Sequence, residues 1–184
     1  MFQVWWLNFF LICILKQSGF EQRFCYKNLE ENSAKKGFDG LYKHNSEIWL
    51  VESKSSYTGH NNSHKNTIKK AYDGISNQLS GKTSNDPWEN AANHSKVWGD
   101  GSLVKKLESL SMDYVSGNYK LIDECSVILG TTLVKSDRAL VEKDKEKIYE
   151  YVVDHKALNE KIVAINLLKN DIFLDILRVI KDGK

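Results

Sequence analysis

The feature that most constrains this chain is a pair of β-rich runs joined by a short polar segment. The runs Gly37 to Lys43 and Ile48 to Ser53 flank His44-Asn45-Ser46-Glu47, which suits a four-residue hairpin loop. Such a loop fixes the register of both strands, because the residue numbers of antiparallel partners have a constant sum. Pairing Lys43 with Ile48 then places Leu41 opposite Leu50.

The same register places two carboxylates, Asp39 and Glu52, opposite each other. Opposed side chains have Cβ atoms about 5 Å apart, and like charges there are destabilising unless something neutralises them. Mg²⁺ or Mn²⁺ would do so, since these ions accept two carboxylates and a backbone carbonyl between them. Lys54 follows Glu52 by two residues, so the strand period places both side chains on one face. We therefore predict a divalent-metal site with a lysine beside it.

A simpler interpretation is a solvated hairpin with a chance pair of acids and a surface lysine. The chain has 24 acidic and 26 basic residues, and some such spacings arise by chance. This interpretation leaves unexplained why polar residues continue the strand face that Ile48 and Leu50 begin.

Length and composition bound the class of protein. The 184 residues suit a single domain, with the first helix, the hairpin and the following helix in residues 1–80, and a helical insertion with the remaining strands and helices in residues 81–184. A hydrophobic fraction of 41% with 27% charged residues is typical of a globular protein. The formal charge of +2 does not by itself indicate a nucleic-acid-binding protein, so any basic groove would be local.

The cysteines and the apolar start of the chain bear on the compartment. Cys13, Cys25 and Cys125 are odd in number and lack C-x-x-C spacing, which favours a reducing cytoplasm. Residues 1–15 are apolar, but they lack a basic n-region and a small-residue cleavage site and are shorter than the roughly 20 residues of a membrane span. We therefore expect a buried first helix and no membrane association.

Hydrophobic periodicity and turn residues predict an α/β fold with a mixed sheet flanked by helices. Alternating strands and helices near the carboxyl end indicate a right-handed crossover, and hence a partly parallel sheet. Besides the hairpin, the predicted elements are a strand over Arg23–Lys27, a loop over Ser55–Asn66, helices over Thr67–Leu79, from Asp86-Pro87 and over Ser102–Tyr114, a strand over 126–134, a helix over Arg138–His155, a strand over Lys161–Leu167 and a helix over Asp171–Lys181.

Polar residues of the helix predicted at Thr67 to Leu79 are candidates for contact with a nucleic acid. Lys65, Lys69 and Lys70 lie on its polar side and approach, where they could meet phosphates. A solvated helix face explains these lysines equally well, and Gln78 is equally open to a functional or a surface role.

Motifs of several other functional classes are missing from the sequence. It contains neither a G-x-G-x-x-G nor a Walker pattern, which argues against a nucleotide-dependent motor. It also lacks an H-E-x-x-H or Cys/His cluster. His60 and His64 would lie on one helix face only if that helix began early, so separate histidines with no joint role are favoured.

Asp39, followed after twelve residues by Glu52-x-Lys54, resembles the PD-(D/E)xK nuclease superfamily with its restriction-endonuclease-like fold. The preceding Gly37-Phe-Asp-Gly40 and the strand Ile48-Trp-Leu-Val51 strengthen the resemblance. The order of elements, including Tyr72-Asp73-Gly74-Ile75, is most similar to that of the nuclease subunit of the Hachiman antiphage defence system. The core stretch also resembles polymorphic-toxin nucleases, in which Gly-x-Asp-Gly-x-Tyr-Lys precedes a Glu-x-Lys strand.

This resemblance implies a metal-dependent endonuclease. Asp39, Glu52 and the Ser53 carbonyl would hold Mg²⁺ or Mn²⁺, and Lys54 would orient a water or offset charge on the phosphorane. It also implies DNA as the substrate, a helicase as the partner protein and a role in antiviral defence. The toxin relatives imply RNA instead.

One position departs from the family pattern. Many members carry a further metal-binding acid on the first helix, where this chain has Gln3, and the nearest acid, Glu21, follows the predicted helix stop. A non-catalytic, nuclease-like module that binds nucleic acid or protein is therefore a further alternative.

Overall fold

A computed structural model of the protein describes residues 3–25, 37–56, 63–135 and 148–168. Within these ranges the chain forms one mixed sheet with the strand order β1-β2-β3-β4-β5. The first three strands are antiparallel, whereas β3 and β4, and β4 and β5, are parallel. The predicted α/β class is confirmed. The strands are β1 (Glu21–Cys25), β2 (Gly40–His44), β3 (Glu47–Ser56), β4 (Ser126–Lys135) and β5 (Asn159–Leu168).

Helices flank both faces of this sheet. Residues of three helices pack against one face with Leu50, Val127 and Leu129, while α1 packs against the other face with Val51 and Ile128. Successive strand residues point to opposite faces, so these neighbouring residues belong to different core clusters. The helices in the described ranges are α1 (Gln3–Gln17), α2 (His64–Leu79), α3 (Pro87–Ser95) and α4 (Gly101–Val115), with 3₁₀ turns at Lys96–Trp98, Ile122–Glu124 and Ile148–Tyr151.

The register predicted for the hairpin is confirmed, but the loop length is wrong. Lys43 pairs with Ile48, and the pairing continues by one residue beyond them, so that the loop contains just two residues. These are Asn45 and Ser46, both with positive φ, at 48° and 68°. Positive φ at both central positions is the signature of a type I′ turn, whose twist matches that of the strands.

The first helix forms where it was predicted and buries one side. Leu11 and Leu15 are buried against the sheet, whereas Phe9 is 50% exposed. The helix ends at Gln17, and Gly19, two residues later, has a φ of 79°, with the amide of Phe20 donating to the carbonyl of Leu15. This is the Schellman arrangement, in which glycine adopts the left-handed conformation at little cost. Across the described ranges, no helix combines the length and the apolar character that crossing a membrane requires.

Predictions for helices α2, α3 and α4 are confirmed within a few residues. Ser63 caps α2, which begins at His64 and so includes the last residues of the predicted loop. At the other end of that loop, β3 continues to Ser56. Asp86 caps α3 with Pro87 in its first turn, as predicted. Residues 57–62, in the middle of the predicted loop, lie outside the described ranges.

The helix predicted over Arg138–His155 is wrong at its carboxyl end. Its first part lies outside the described residues, but Ile148–Tyr151 is a 3₁₀ turn and the chain then bends. His155 explains the difference, because its ring stacks on Tyr72, with centroids 3.8 Å apart, and its Nδ1 lies 2.7 Å from Glu160 Oε1. These contacts hold the segment against α2 and β5. The helix predicted over Asp171–Lys181 lies outside the described residues.

Candidate active site

Two of the predicted site residues form an ion pair on β3. Glu52 is 4% exposed, and its Oε1 accepts a hydrogen bond from Lys54 Nζ at 2.6 Å. Both side chains lie on the sheet face that α2 covers, because they are two residues apart in one strand. Lys54 keeps 38% of its side chain exposed. The pair therefore joins a buried carboxylate to a cation that solvent can reach.

Asp39 reaches the same part of β3 in a different way from that predicted. The ladder between β2 and β3 ends where Gly40 pairs with Val51, so the direct cross-strand pair of Asp39 and Glu52 is wrong. Asp39 Oδ2 instead accepts from the Ser53 backbone N–H at 2.7 Å and from the Ser53 hydroxyl at 3.0 Å. Its carboxylate takes the place of the next backbone acceptor, and its Oδ1 makes no hydrogen bond within the described ranges. Asp39 is thus fixed beside the residue that follows Glu52.

Helix α2 contributes two residues that lie directly on Glu52. A Cβ at Gly74 would be 3.3 Å from Glu52 Oε1, so the helix backbone approaches the carboxylate closely. Gln78, one turn further along the same helix face, places Nε2 at 3.4 Å from Glu52 Oε2. The Gln78 Oε1 atom is buried without a hydrogen-bond partner. Sequence reasoning missed Gly74 as a site residue, because a glycine inside a helix pattern indicates only a local cost in stability.

The surroundings of Glu52 disfavour its charged form. Burial, and next the nearby Asp39 carboxylate, raise the pKa of Glu52 to about 7, although Lys54 and Gln78 act in the opposite direction. Burial also opposes the charge on Lys54, but the Glu52 carboxylate outweighs it with the help of Asp39 and raises the pKa of the lysine above its usual value. Near neutral pH, Glu52 can thus be switched between its protonated and ionised forms by a small change in its environment.

The oxygen atoms around Glu52 fit a hard divalent cation. Carboxylates and amide or backbone carbonyls are the ligands that Mg²⁺ and Mn²⁺ prefer, and Gln78, whose Nε2 donates to Glu52, also carries a buried Oε1 without a hydrogen-bond partner. No group of three or more His, Cys, Asp or Glu side chains suited to a metal occurs in the described ranges. Glu21, the other candidate acid, begins β1 and pairs with Arg23 at 2.5 Å. The described site therefore offers two carboxylates rather than three.

The three lysines proposed to bind nucleic acid are exposed but have different surroundings. Lys65 Nζ lies 5.9 Å from the centroid of the Tyr151 ring, and Lys69 Nζ is 2.8 Å from Asp73 Oδ2. Lys70 precedes Gly74 by one helical turn, so it is the lysine nearest to the helix face that covers Glu52. Their role in binding stays a prediction.

His64 has a structural environment of its own. It is buried at the start of α2, with Nδ1 3.1 Å from Thr131 Oγ1 and Nε2 3.1 Å from Asn166 Oδ1. Thr131 lies beside Lys54 in the parallel register. The histidine therefore ties the start of α2 to β4 and β5 next to the candidate site. Its predicted possible partner, His60, lies outside the described residues.

No protein-family model matches this chain, and no curated protein matches it significantly.

Proposed function

We propose that the chain is a divalent-metal-dependent nuclease that hydrolyses phosphodiester bonds in DNA. The observation that supports this most strongly is the buried Glu52, paired with Lys54 at 2.6 Å and close enough to Asp39 for that carboxylate to raise its pKa. Burying a charged group costs much free energy unless it is paired or binds a metal. Two acids and a lysine gathered in this way are typical of a functional site rather than of a sheet core.

Asp39, Glu52 and the Ser53 carbonyl are the groups that would hold Mg²⁺ or Mn²⁺. When bound, the ion supplies Lewis-acid activation of the phosphate and lowers the pKa of a coordinated water. Asp39 would hold the ion through its carboxylate, whose Oδ2 already accepts from the Ser53 amide and hydroxyl. Gln78 steadies Glu52 through its side-chain amide.

Lys54 would act on the negative charge that develops during hydrolysis. Its side chain is 38% exposed, so the ammonium can turn from Glu52 towards a substrate phosphate or an attacking water. A cation placed where charge grows in the transition state stabilises it more than the ground state. Because the pKa of Lys54 is raised, the group stays protonated at neutral pH.

Substrate and partner follow from the resemblance of the hairpin rather than from the site. Lys65, Lys69 and Lys70 are the cationic side chains of α2 that we propose to contact the DNA backbone. A helicase partner and a role in antiviral defence belong to the same proposal. The toxin-like alternative predicts RNA as the substrate, and a non-catalytic module predicts binding without cleavage.

The test is cleavage of plasmid DNA in Mg²⁺ by Asp39→Ala and Lys54→Ala variants. Each should lose at least about 100-fold in rate, because each removes a charge that acts on the metal or on the phosphorane. Asp113→Ala and Lys82→Ala are matched controls at exposed positions outside the site and should cleave at the normal rate.

Undiminished cleavage by either site variant rejects this assignment. Digesting tRNA and plasmid DNA side by side distinguishes the substrates, since a toxin-like enzyme would degrade the tRNA preferentially. If the wild-type chain binds DNA in Mg²⁺ but cuts neither substrate, the result would support the non-catalytic module.

A further inference from the structure

A polar cavity lies at the turn end of the hairpin, and neither Glu52 nor Lys54 lines it. It has a volume of about 120 Å³. Pockets for drug-sized ligands are about 300–1,000 Å³, so this one suits a single charged group. Its polar lining comprises three cationic side chains, two serines and one carboxylate, namely Arg23, Lys43, Lys106, Ser46, Ser102 and Asp100.

A β-bulge delivers Arg23 to this cavity. On β1, Gln22 pairs with Tyr42 and Phe24 pairs with Leu41, which leaves Arg23 as an extra residue without a partner in the ladder. Bulges re-aim a side chain that regular alternation would send to the other face. Here Arg23 lines the cavity together with Leu41. Leu41 and Phe24 both belong to the hydrophobic core beneath α2. The irregular strand therefore turns a guanidinium inwards at a sheet edge.

The guanidinium of Arg23 is incompletely paired. One terminal nitrogen donates to Glu21 at 2.5 Å, but the Nε–H is buried without a hydrogen-bond partner. Leaving a buried donor unsatisfied costs free energy, and more for a charged group. Because Arg23 also lines the cavity, the guanidinium places positive charge there.

The charge of the cavity is positive on balance. Lys43 and Lys106 form no ion pair with any described residue. The one carboxylate, Asp100, is already the cap of α4, since its Oδ1 accepts from the Leu103 amide at 3.1 Å and the Ser102 hydroxyl at 2.8 Å. These hydrogen bonds, and then the charges of Lys43 and Arg23, hold the pKa of Asp100 below its usual value. Two lysines and part of an arginine are left for an anion.

We propose that this cavity binds a phosphate group. A guanidinium offers planar, directed donors to an oxyanion, and ammonium groups add point charges from other sides. Arg23 on β1, Lys43 on β2 and Lys106 on α4 line the cavity from three different elements, so they can meet different oxygens of a tetrahedral anion. The phosphate could be free or part of a nucleic acid. Lys43 is four residues along the hairpin from Asp39, about 13 Å at strand spacing, which a nucleic-acid strand spans in about four nucleotides.

Inorganic phosphate, titrated into the full chain at constant ionic strength and followed by amide chemical shifts, tests the proposal. Wild-type protein should show saturable shifts, and Lys106→Gln should weaken the affinity by about tenfold, since a charge-assisted hydrogen bond is lost. Lys106 is exposed, so the variant should fold. Lys105→Gln is the matched control, because Lys105 is the exposed neighbour on α4 that does not line the cavity. Shifts that do not saturate, or an equal loss in Lys105→Gln, would overturn the proposal.

A short oligonucleotide then identifies the source of the phosphate. If Lys106→Gln weakens the binding of the oligonucleotide as it weakens that of inorganic phosphate, the group belongs to a nucleic acid; if it weakens inorganic phosphate alone, the ligand is a free phosphate. Both results support the proposal that the cavity binds a phosphate group. The pocket does not depend on nuclease activity, so Lys54→Ala should bind inorganic phosphate normally even though cleavage is lost.

Discussion

Glu52 is a carboxylate held where water hardly reaches it, beneath a helix and beside a second acid. Its pKa of about 7 in the folded protein compares with an ordinary value of 4.5. The folded state therefore binds the proton more tightly than the unfolded state does. Its contribution to stability is fully present below pH 4.5 and is lost as the pH rises through 7.

This linkage predicts a pH-dependent stability that Glu52→Gln should abolish. In the absence of divalent metal, the free energy of unfolding of the wild type should fall by about 3 kcal/mol between pH 4.5 and 8 relative to that of the variant, at 1.36 kcal/mol per pKa unit. Urea unfolding at a series of pH values measures the difference. Parallel pH profiles for the two proteins would show that Glu52 titrates normally.

Gly74 provides a finer test of the same contact. In Gly74→Ala the new methyl group would lie 3.3 Å from Glu52 Oε1 and push the carboxylate aside by a few tenths of an ångström. We expect an approximately tenfold weaker affinity for Mn²⁺, the scale on which supporting contacts affect metal sites. Helix stability should not fall, since alanine is the better helix former.

The matched control for this substitution is Gly101→Ala. A Cβ at Gly101, in the first turn of α4, would meet no atom within 4 Å. This variant should bind Mn²⁺ as the wild type does. Equal affinity in both glycine variants would show that α2 does not position Glu52.

At the scale of elements, the hairpin between β2 and β3 brings the site residues together, and its turn is not ideal. Ser46 adopts a φ of 68°, a left-handed conformation that costs a non-glycine residue about 1 kcal/mol or more. Asn-Gly is the preferred pair for a type I′ turn. Ser46→Gly should therefore raise the free energy of unfolding by about 1 kcal/mol, after allowing for the greater freedom of glycine in the unfolded chain.

Thermal or urea unfolding checks this turn prediction, with Ser102→Gly in the first turn of α4 as the contrasting variant. Ser102 has no positive φ, so glycine there should destabilise the protein. A loss of stability in Ser46→Gly would mean that the strain lies elsewhere in the hairpin.

The hairpin also shows which local features the sequence predicts. Register was predictable because pairing arithmetic depends on one correct pair, Lys43 with Ile48. Loop length was not, because His44 and Glu47 are polar and look like loop residues although they complete the ladder. The position of Asp39 was missed for a related reason. Strand β2 begins at Gly40, the residue after Asp39, and the Asp39 carboxylate itself replaces a backbone acceptor.

At the scale of the whole molecule, the candidate site depends on packing between distant segments. Glu52 meets Gly74 and Gln78 because α2 crosses the sheet above β3, and helical periodicity alone does not say where a helix will lie. The β-bulge at Arg23 likewise depends on tertiary structure, since the sequence pattern around Gln22 and Phe24 does not predict an extra, unpaired residue in the strand. The α/β class was predictable because strand-forming and helix-forming stretches follow one another along the sequence, with α2, α3 and α4 between β3 and β4, whereas the surroundings of each side chain depend on the assembled fold.

The most direct test of the proposed function is a calorimetric titration of the full chain with Mn²⁺. We expect one saturable binding event that is lost in both Asp39→Asn and Glu52→Gln, because each variant removes a negative oxygen ligand while keeping the shape of the side chain. Affinity should also fall by roughly tenfold per pH unit below pH 7, where protons compete for Glu52. A wild-type titration without binding heat, or binding that survives in either variant, would contradict the proposed metal centre.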